Sequence, residues 1–191
     1  MKYPKQLEDL ISMFEKLPTI GRKSAERLAF YILFNFKEED INVLSQCLNN
    51  IKNDIKICKN CGVICEEEEC SICKDATREN ILLIVESVKD VLVFERTLKY
   101  HGLYHVLNGL ISIDDDEKLA ILENRVKKLG VEEIILALPS SLKGDLTKHY
   151  IKKVLEDKEV YSIAYGVPVG ASIEYVDDIT ILKSLEGKRK I

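Results

Sequence analysis

The stretch Ile81-Leu82-Leu83-Ile84-Val85, followed by Glu86-Ser87-Val88-Lys89-Asp90, decides the fold class. A short, continuous aliphatic run reads as a strand buried on both faces, as in a parallel sheet. The pattern then repeats downstream. Val91, Phe94 and Leu98 recur at helical spacing, and Tyr104-His105-Val106-Leu107 is a second strand. Leu119–Leu129 is expected to be helical, Glu133–Leu138 a third strand, Leu146–Leu155 a helix, and Val160–Ala164 a fourth strand. Strands alternating with helices imply crossover units and a mostly parallel sheet. Beyond Gly166-Val167-Pro168-Val169-Gly170 comes a loop and a short helix around Ile179–Leu185. From Lys183 onward four basic residues stand against one acid, ending in Lys188-Arg189-Lys190. That tail reads equally as a nucleic-acid contact or a frayed end.

Upstream of the first strand the texture changes to cysteine. Of six cysteines, five (Cys58, Cys61, Cys65, Cys70 and Cys73) fall within 16 residues, and Cys47 precedes them. Cys58/Cys61 and Cys70/Cys73 form two C-x-x-C pairs separated by residues 62–69. Each such turn aims two thiolates at one point, and two turns complete a tetrahedron around Zn²⁺. A closed four-thiolate site has no open position for water, so its expected role is structural. Iron–sulfur ligation by the same thiolates is the less favoured alternative. Lys56, Lys59 and Lys74 are candidates to offset the negative charge, Cys65 is expected to be a free thiol, and Cys47 a small buried apolar residue. The segment Lys56–Asp75 is too short for a hydrophobic core of its own, so the ion is expected to fold it.

Residues 1–56 read as helical. Leu7, Leu10, Ile11 and Phe14 mark a first helix; Ala25, Leu28, Ala29, Ile32 and Leu33 a second; Ile41, Leu44, Leu48 and Ile51 a third, about Glu38–Ile55. The breaker Leu17-Pro18-Thr19-Ile20-Gly21 leaves room only for a tight hairpin between the first two. Backbone N–H groups opening the second helix, together with its dipole, suit a phosphate. Ile20, Gly21, Arg22, Lys23 and Arg27 are therefore the candidate DNA-binding residues, on a helix–hairpin–helix-like element that grips the backbone without reading bases. An ordinary helix–loop–helix with a solvated basic turn fits the spacing equally. Gly21-Arg22-Lys23-Ser24 is not a nucleotide-hydrolysing P-loop: position 16 is Lys, and no strand precedes it.

The chain has 191 residues, 46% hydrophobic and 31% charged, with a net charge of −4. Enough apolar surface is present to exclude wholesale disorder. The longest apolar runs fall far short of the roughly 18 residues of a bilayer span. Met1-Lys2-Tyr3-Pro4-Lys5 leads into no apolar segment, so the expected location is cytoplasmic. The acidic balance excludes a protein coated in basic charge but allows a local basic face.

A second candidate site lies in the α/β region. Glu86 follows the first strand, Asp90 stands one helical turn on, and Asp145 follows the third strand. Functional groups gather at the carboxyl ends of parallel strands, where such acids can hold Mg²⁺ for phosphoryl chemistry. Lys143, two residues before Asp145, would repel the ion, and the same acids read as helix N-terminal residues favoured by the dipole. His101 and His105 have no metalloprotease context and are taken as surface or packing residues. Asp114-Asp115-Asp116-Glu117 reads as a solvated loop entering a helix.

These pieces, in this order, resemble the RecR family of recombination mediators over almost the whole chain. The resemblance rests on Leu17-Pro-Thr-Ile-Gly-Arg-Lys-Ser-Ala-Glu-Arg-Leu-Ala, the four cysteines with their spacing, Ile84-Val-Glu-Ser-Val-Lys-Asp, Gly102-Leu-Tyr-His-Val-Leu, and Tyr165-Gly-Val-Pro-Val-Gly through Glu174-Tyr175 to Leu185-Glu-Gly-Lys-Arg. It implies a multidomain α plus α/β protein: a helix–hairpin–helix domain over 1–55, a C4 zinc finger over 56–75 with its ligands between 58 and 73, a Toprim domain over 80–168, and a Walker-B-like tail over 169–191. It further implies a non-catalytic, DNA-binding homo-oligomer, a dimer or a tetrameric ring. Such a protein works with RecO and RecF on gapped or single-stranded DNA to help load RecA, and its Toprim acids serve partner and DNA contacts. The family usually carries Gly where Thr19 stands. It usually has Thr-Asn-Pro and Glu-Gly-Glu where this chain has Leu138-Pro139-Ser140 and Lys143-Gly144-Asp145. The competing class is a Mg²⁺-dependent Toprim-type nuclease or primase-like enzyme using Glu86, Asp90 and Asp145.

Overall fold

The computed structural model describes residues 3–112 and 115–188 and divides into two compact units, meeting in sequence between Ile55 and Lys56. Arg189 and Lys190 of the basic tail, and Asp114 of the acidic loop, lie outside the described residues.

The N-terminal unit contains α1 (Lys5–Glu15), α2 (Arg22–Asn35) and α3 (Glu38–Asn53). Its fully buried residues are Ile11, Ala25 and Ala29, ringed by Leu7, Leu10, Phe14 and Ile20. Two alanines one turn apart let α1 and α2 approach closely, so a small core suffices to hold the hairpin. Asp40 caps the start of α3, its carboxylate accepting from Lys37 N–H at 2.9 Å. The expected apolar stripe is present on α3, yet none of its residues is buried, and Ile41, Leu44, Leu48 and Ile51 are exposed. Cys47 is likewise exposed rather than buried, because its helix period places it among side chains that none of the described residues covers.

The second unit opens with a ribbon, β1 (Lys56–Ile57) antiparallel to β2 (Ile64–Cys65), closed by the single turn α4 (Ser71–Lys74). There follow β3 (Ile81–Val85), α5 (Val88–Thr97), β4 (Leu103–Val106), α6 (Asp116–Leu129), β5 (Glu133–Ala137), α7 (Leu142–Val154) and β6 (Glu159–Ser162). A 3₁₀ turn at Ile173–Tyr175 and α8 (Asp178–Glu186) complete the described chain. The four long strands pair in parallel in the order β4-β3-β5-β6, with Leu82 opposite both Leu103 and Ile134.

Strand alternation sorts the central residues onto two faces. Leu82 and Ile84 join Ile134 and Leu136 in a core with Leu122, Val126 and Ile151 from α6 and α7. Leu83 and Val85 join Tyr104 and Val106 on the other face, with Val91 of α5. Cys58, Cys61, Val63 and Cys70 belong to that second core. The ribbon is therefore not a segment folded by an ion alone, as its length implied. It borrows its apolar floor from the sheet.

The ribbon also closes an edge. Strand β4 is outermost, and an open edge leaves backbone groups unpaired. Val106 N–H donates to the Cys61 carbonyl at 2.8 Å, and the Tyr104 carbonyl accepts from the Arg125 guanidinium at 3.0 Å. Gly62 has φ of 80°, and a Cβ there would stand 3.0 Å from the Val106 carbonyl oxygen. Glycine at this position lets the ribbon backbone lie directly on the strand end.

Candidate metal centre and nucleic-acid interface

The two C-x-x-C turns bring four sulfurs together. Cys61 Sγ and Cys70 Sγ are 3.4 Å apart, Cys58 Sγ and Cys73 Sγ 3.9 Å, and all four lie within 4.8 Å of one another. Zn–S bonds of about 2.3 Å in a tetrahedron require sulfurs about 3.8 Å apart. These separations bracket that spacing, so the donor set fits a tetrathiolate metal ion with sulfur shifts of about an ångström or less. Among the described residues, these cysteines form the one group of three or more Cys, His or acidic side chains whose ligand atoms converge.

Electrostatics within the cluster is uneven. Burial works against ionising Cys58, but the backbone N–H groups of Cys70, Cys61 and Asn60 outweigh it and lower its pKa. The Cys73 thiol is brought down to about 5, first by its hydrogen bond with Cys61 and then by Arg125, against the cost of burial. Burial pushes Cys70 up to about 11, and Cys61 is raised by its bond to Cys73 and by burial. Cys65 stands apart from the four, its Sγ donating to the Glu67 carbonyl at 2.9 Å.

Two of the lysines expected to balance the thiolates do something else. Lys59 pairs with Glu68 at 2.9 Å, and Lys74 pairs with Glu67, all of them solvent-exposed. The cation at the sulfurs is Arg125, on α6, whose Nη2 lies 3.5 Å from Cys73 Sγ. Sequence reading missed it because it lies 52 residues from that cysteine. The available signal was a basic residue between Leu122 and Val126 on the apolar side of a helix.

At the hairpin, Gly21 is the N-cap of α2 and no side chain caps the helix. The first backbone bond into the helix runs from Ala25 N–H to the Gly21 carbonyl, so the N–H groups of Arg22, Lys23 and Ser24 open the helix without an intrahelical acceptor. Nothing lies within 4 Å of where a Gly21 Cβ would stand. Thr19 has φ of 68°, the left-handed conformation that glycine adopts freely and that strains a β-branched residue. Ile20 is half-buried against the α1–α2 core.

The basic residues there divide into two kinds. Arg22 is held by three carboxylates: Glu8 at 2.8 Å, Glu26 at 3.0 Å and Glu15 at 3.4 Å. It staples α1 to α2, and its hydrogen bond holds the Glu8 carboxyl below its usual range. Lys23 and Arg27 are exposed and, among the described residues, form no ion pair.

The three acids of the α/β unit are not gathered as metal ligands. Asp90 accepts from Ser87 N–H at 2.8 Å and from the Ser87 hydroxyl at 2.9 Å, a capping box at the start of α5. Asp145, in the first turn of α7, pairs with Lys148 at 3.0 Å, and that contact holds its carboxyl below the usual range. Lys148 also donates to the Tyr165 hydroxyl. Lys183 donates to Ser140 Oγ at 3.1 Å and stands 4.1 Å from the centre of the Tyr165 ring. Glu86 follows β3, and its carbonyl accepts from Gly109 N–H at 3.1 Å. His101 is exposed. His105 is only 5% exposed, and burial followed by the nearby Arg125 charge brings its pKa down to about 4, so it is a neutral packing residue.

A helical hairpin unit, a tetracysteine ribbon and a parallel sheet with acids at its carboxyl ends define a multidomain Toprim protein. Family models agree: one described as "RecR, helix-hairpin-helix" matches residues 7–52, "Toprim domain" matches 80–164, and "RecR, C-terminal" matches 166–189. A protein named Recombination protein RecR from Enterococcus faecalis is 41% identical over 199 aligned residues, with both chains covered completely. A protein of the same name from Latilactobacillus sakei is 39% identical over the same length, again with complete coverage of both. The chain belongs to the RecR family of recombination proteins. No helix among its described residues is long and apolar enough to cross a membrane.

Proposed function

We propose that the chain is a DNA-binding mediator of recombinational repair that works as a clamp, without catalysis. The observation that carries this reading is the hairpin: three helix-opening N–H groups without an intrahelical acceptor, open space over Gly21, and two exposed cations, Lys23 and Arg27, without ion-pair partners among the described residues. Such a turn takes one phosphate on its backbone and others on its side chains. Arg22 serves the site indirectly by holding the two helices together.

The family reading supplies the rest. The protein acts with RecO and RecF at gapped or single-stranded DNA and helps RecA to load. The tetracysteine ribbon holds one structural Zn²⁺. Glu86, Asp90 and Asp145 serve partner and DNA contacts. Asp90 is engaged in a helix cap and Asp145 in an ion pair, which supports that role over Mg²⁺-dependent cleavage. Homo-oligomerisation is supported by apolar surface left uncovered in this chain. Phe34 is 76% exposed on α2, the stripe of α3 is bare, and Ile173, Tyr175, Ile179 and Leu182 are bare in the C-terminal segment. Clusters of exposed large apolar side chains within one element are a common mark of association sites.

The test is the salt dependence of DNA binding. In anisotropy titrations of labelled gapped DNA, Lys23→Ala with Arg27→Ala is expected to weaken binding roughly tenfold at about 0.15 M salt. The slope of log K against log salt should become shallower by roughly 1.5, as two phosphate contacts are lost. An unchanged slope would remove the hairpin from the interface.

A further inference from the structure

Arg125 is, among the described residues, the one lysine or arginine side chain that is buried, at 8% exposure. Burying a guanidinium is costly unless an anion meets it. No described carboxylate does: Arg125 takes part in none of the ion pairs, and its Nη2 reaches only the Tyr104 carbonyl at 3.0 Å and Cys73 Sγ at 3.5 Å. Its Nε has no partner, and neither has Nδ1 of the neighbouring neutral His105. The group that can meet this buried cation with negative charge is the Cys73 sulfur, 3.5 Å from its Nη2.

The converse also holds. Four thiolates around a divalent ion leave two negative charges in a site where Cys58, Cys61 and Cys70 are buried. Lys59 and Lys74 are spent on Glu68 and Glu67 at the exposed rim. Among the described residues, Arg125 is the one buried cation that reaches a sulfur.

We propose that Arg125 is a positioning residue of the metal centre. Through its N–H donated to Cys73 Sγ it compensates the tetrathiolate charge, and through the Tyr104 carbonyl it locks the ribbon to strand β4. The tightness with which the ribbon holds its ion is thus set by a helix of the Toprim domain. The inference rests on the reading of the four cysteines as a metal site. Groups that hydrogen-bond to metal ligands in this way typically change metal affinity by roughly 10- to 100-fold.

The experiment uses the full chain with zinc bound, and with cobalt substituted for zinc. Arg125→Met is expected to release metal to a chromogenic chelator at least about tenfold faster than the unmodified chain, with Arg125→Lys between them. In the cobalt protein the thiolate-to-metal charge-transfer band should move to lower energy in Arg125→Met, because the sulfur lone pairs lose a donor and a cation. Leu122→Ala, a cavity in the same helix, is the control: it should lower the melting temperature and leave both release rate and band in place. If Arg125→Met does not fold, Arg125→Lys still carries the test, since the altered donor must shift the band. Wild-type release and an unshifted band in the Arg125 variants would overturn the proposal. So would Leu122→Ala accelerating release as much as they do. An unmodified chain that binds neither zinc nor cobalt would overturn the metal reading itself, and the inference with it.

Discussion

Cys61→Ala is expected to unfold the ribbon and to lower the melting temperature of the Toprim unit by about 10 °C or more. Two effects add. Structural zinc sites contribute apparent binding free energies of about 10–16 kcal/mol, and that energy is folding energy for the segment they close. The ribbon is also the lid of a core face. Cys58, Cys61, Val63 and Cys70 cover Leu83, Val85, Tyr104 and Val106, so its loss exposes one side of the sheet and reopens the β4 edge. A loss of only about 3–5 kcal/mol already shifts a chain of this size by roughly 10 °C. Stripping the metal under reducing conditions should reproduce the variant. Thermal melting with parallel metal analysis checks it. A metal-free chain that melts with the untreated one would show that the sheet face needs no ion to stay covered.

Gly144→Ala is expected to destabilise the chain by about 3 kcal/mol or more, against the sign of helix propensity. Gly144 lies in the first turn of α7, where alanine in open space would be favoured by roughly 1 kcal/mol. Here an added Cβ would stand 2.1 Å from the Pro139 carbonyl oxygen and 3.1 Å from its carbon. These are backbone atoms just outside β5, and they cannot swing aside as a side-chain tip does. Relief requires moving the β5–α7 turn, which carries the Ser141 cap and Asp145 with it. Overpacking of this kind usually costs about 1–3 kcal/mol, and a backbone clash lies at the upper end. Chemical denaturation of the two proteins measures the difference. Gly21→Ala is the contrast, because nothing lies near its Cβ and the fold should tolerate it. Equal stability of Gly144→Ala and the unmodified chain would mean that the turn is looser than its geometry.

Most of the fold was legible because β3 and β4 are near-continuous buried runs, and β5 and β6 repeat the same aliphatic texture between helical periods. Ile81–Val85 was readable to the residue, and the other three strands to within one or two positions. Helix starts were harder. α6 begins at Asp116 and α7 at Leu142, three or four residues before the first apolar repeat, because polar first turns are set by caps and carry no hydrophobic period. The cysteine spacing disclosed four converging sulfurs. It could not disclose Arg125 or the sheet floor, since both depend on contacts distant in sequence. The hairpin's basic residues were visible, but their division was not. Only the packing of α1 on α2 places Glu8 and Glu15 beside Arg22, while Lys23 and Arg27 pair with no acid among the described residues. The period of the α3 stripe marks a helix, but period alone cannot say whether the surface that covers the stripe belongs to the same chain.

The clamp account is tested most directly by the solution mass of the purified protein, alone and with gapped DNA in the presence of Mg²⁺. It predicts an oligomer of fixed stoichiometry that shifts to a defined protein–DNA complex, with the DNA recovered at full length. A monomer that leaves the DNA cleaved would contradict it.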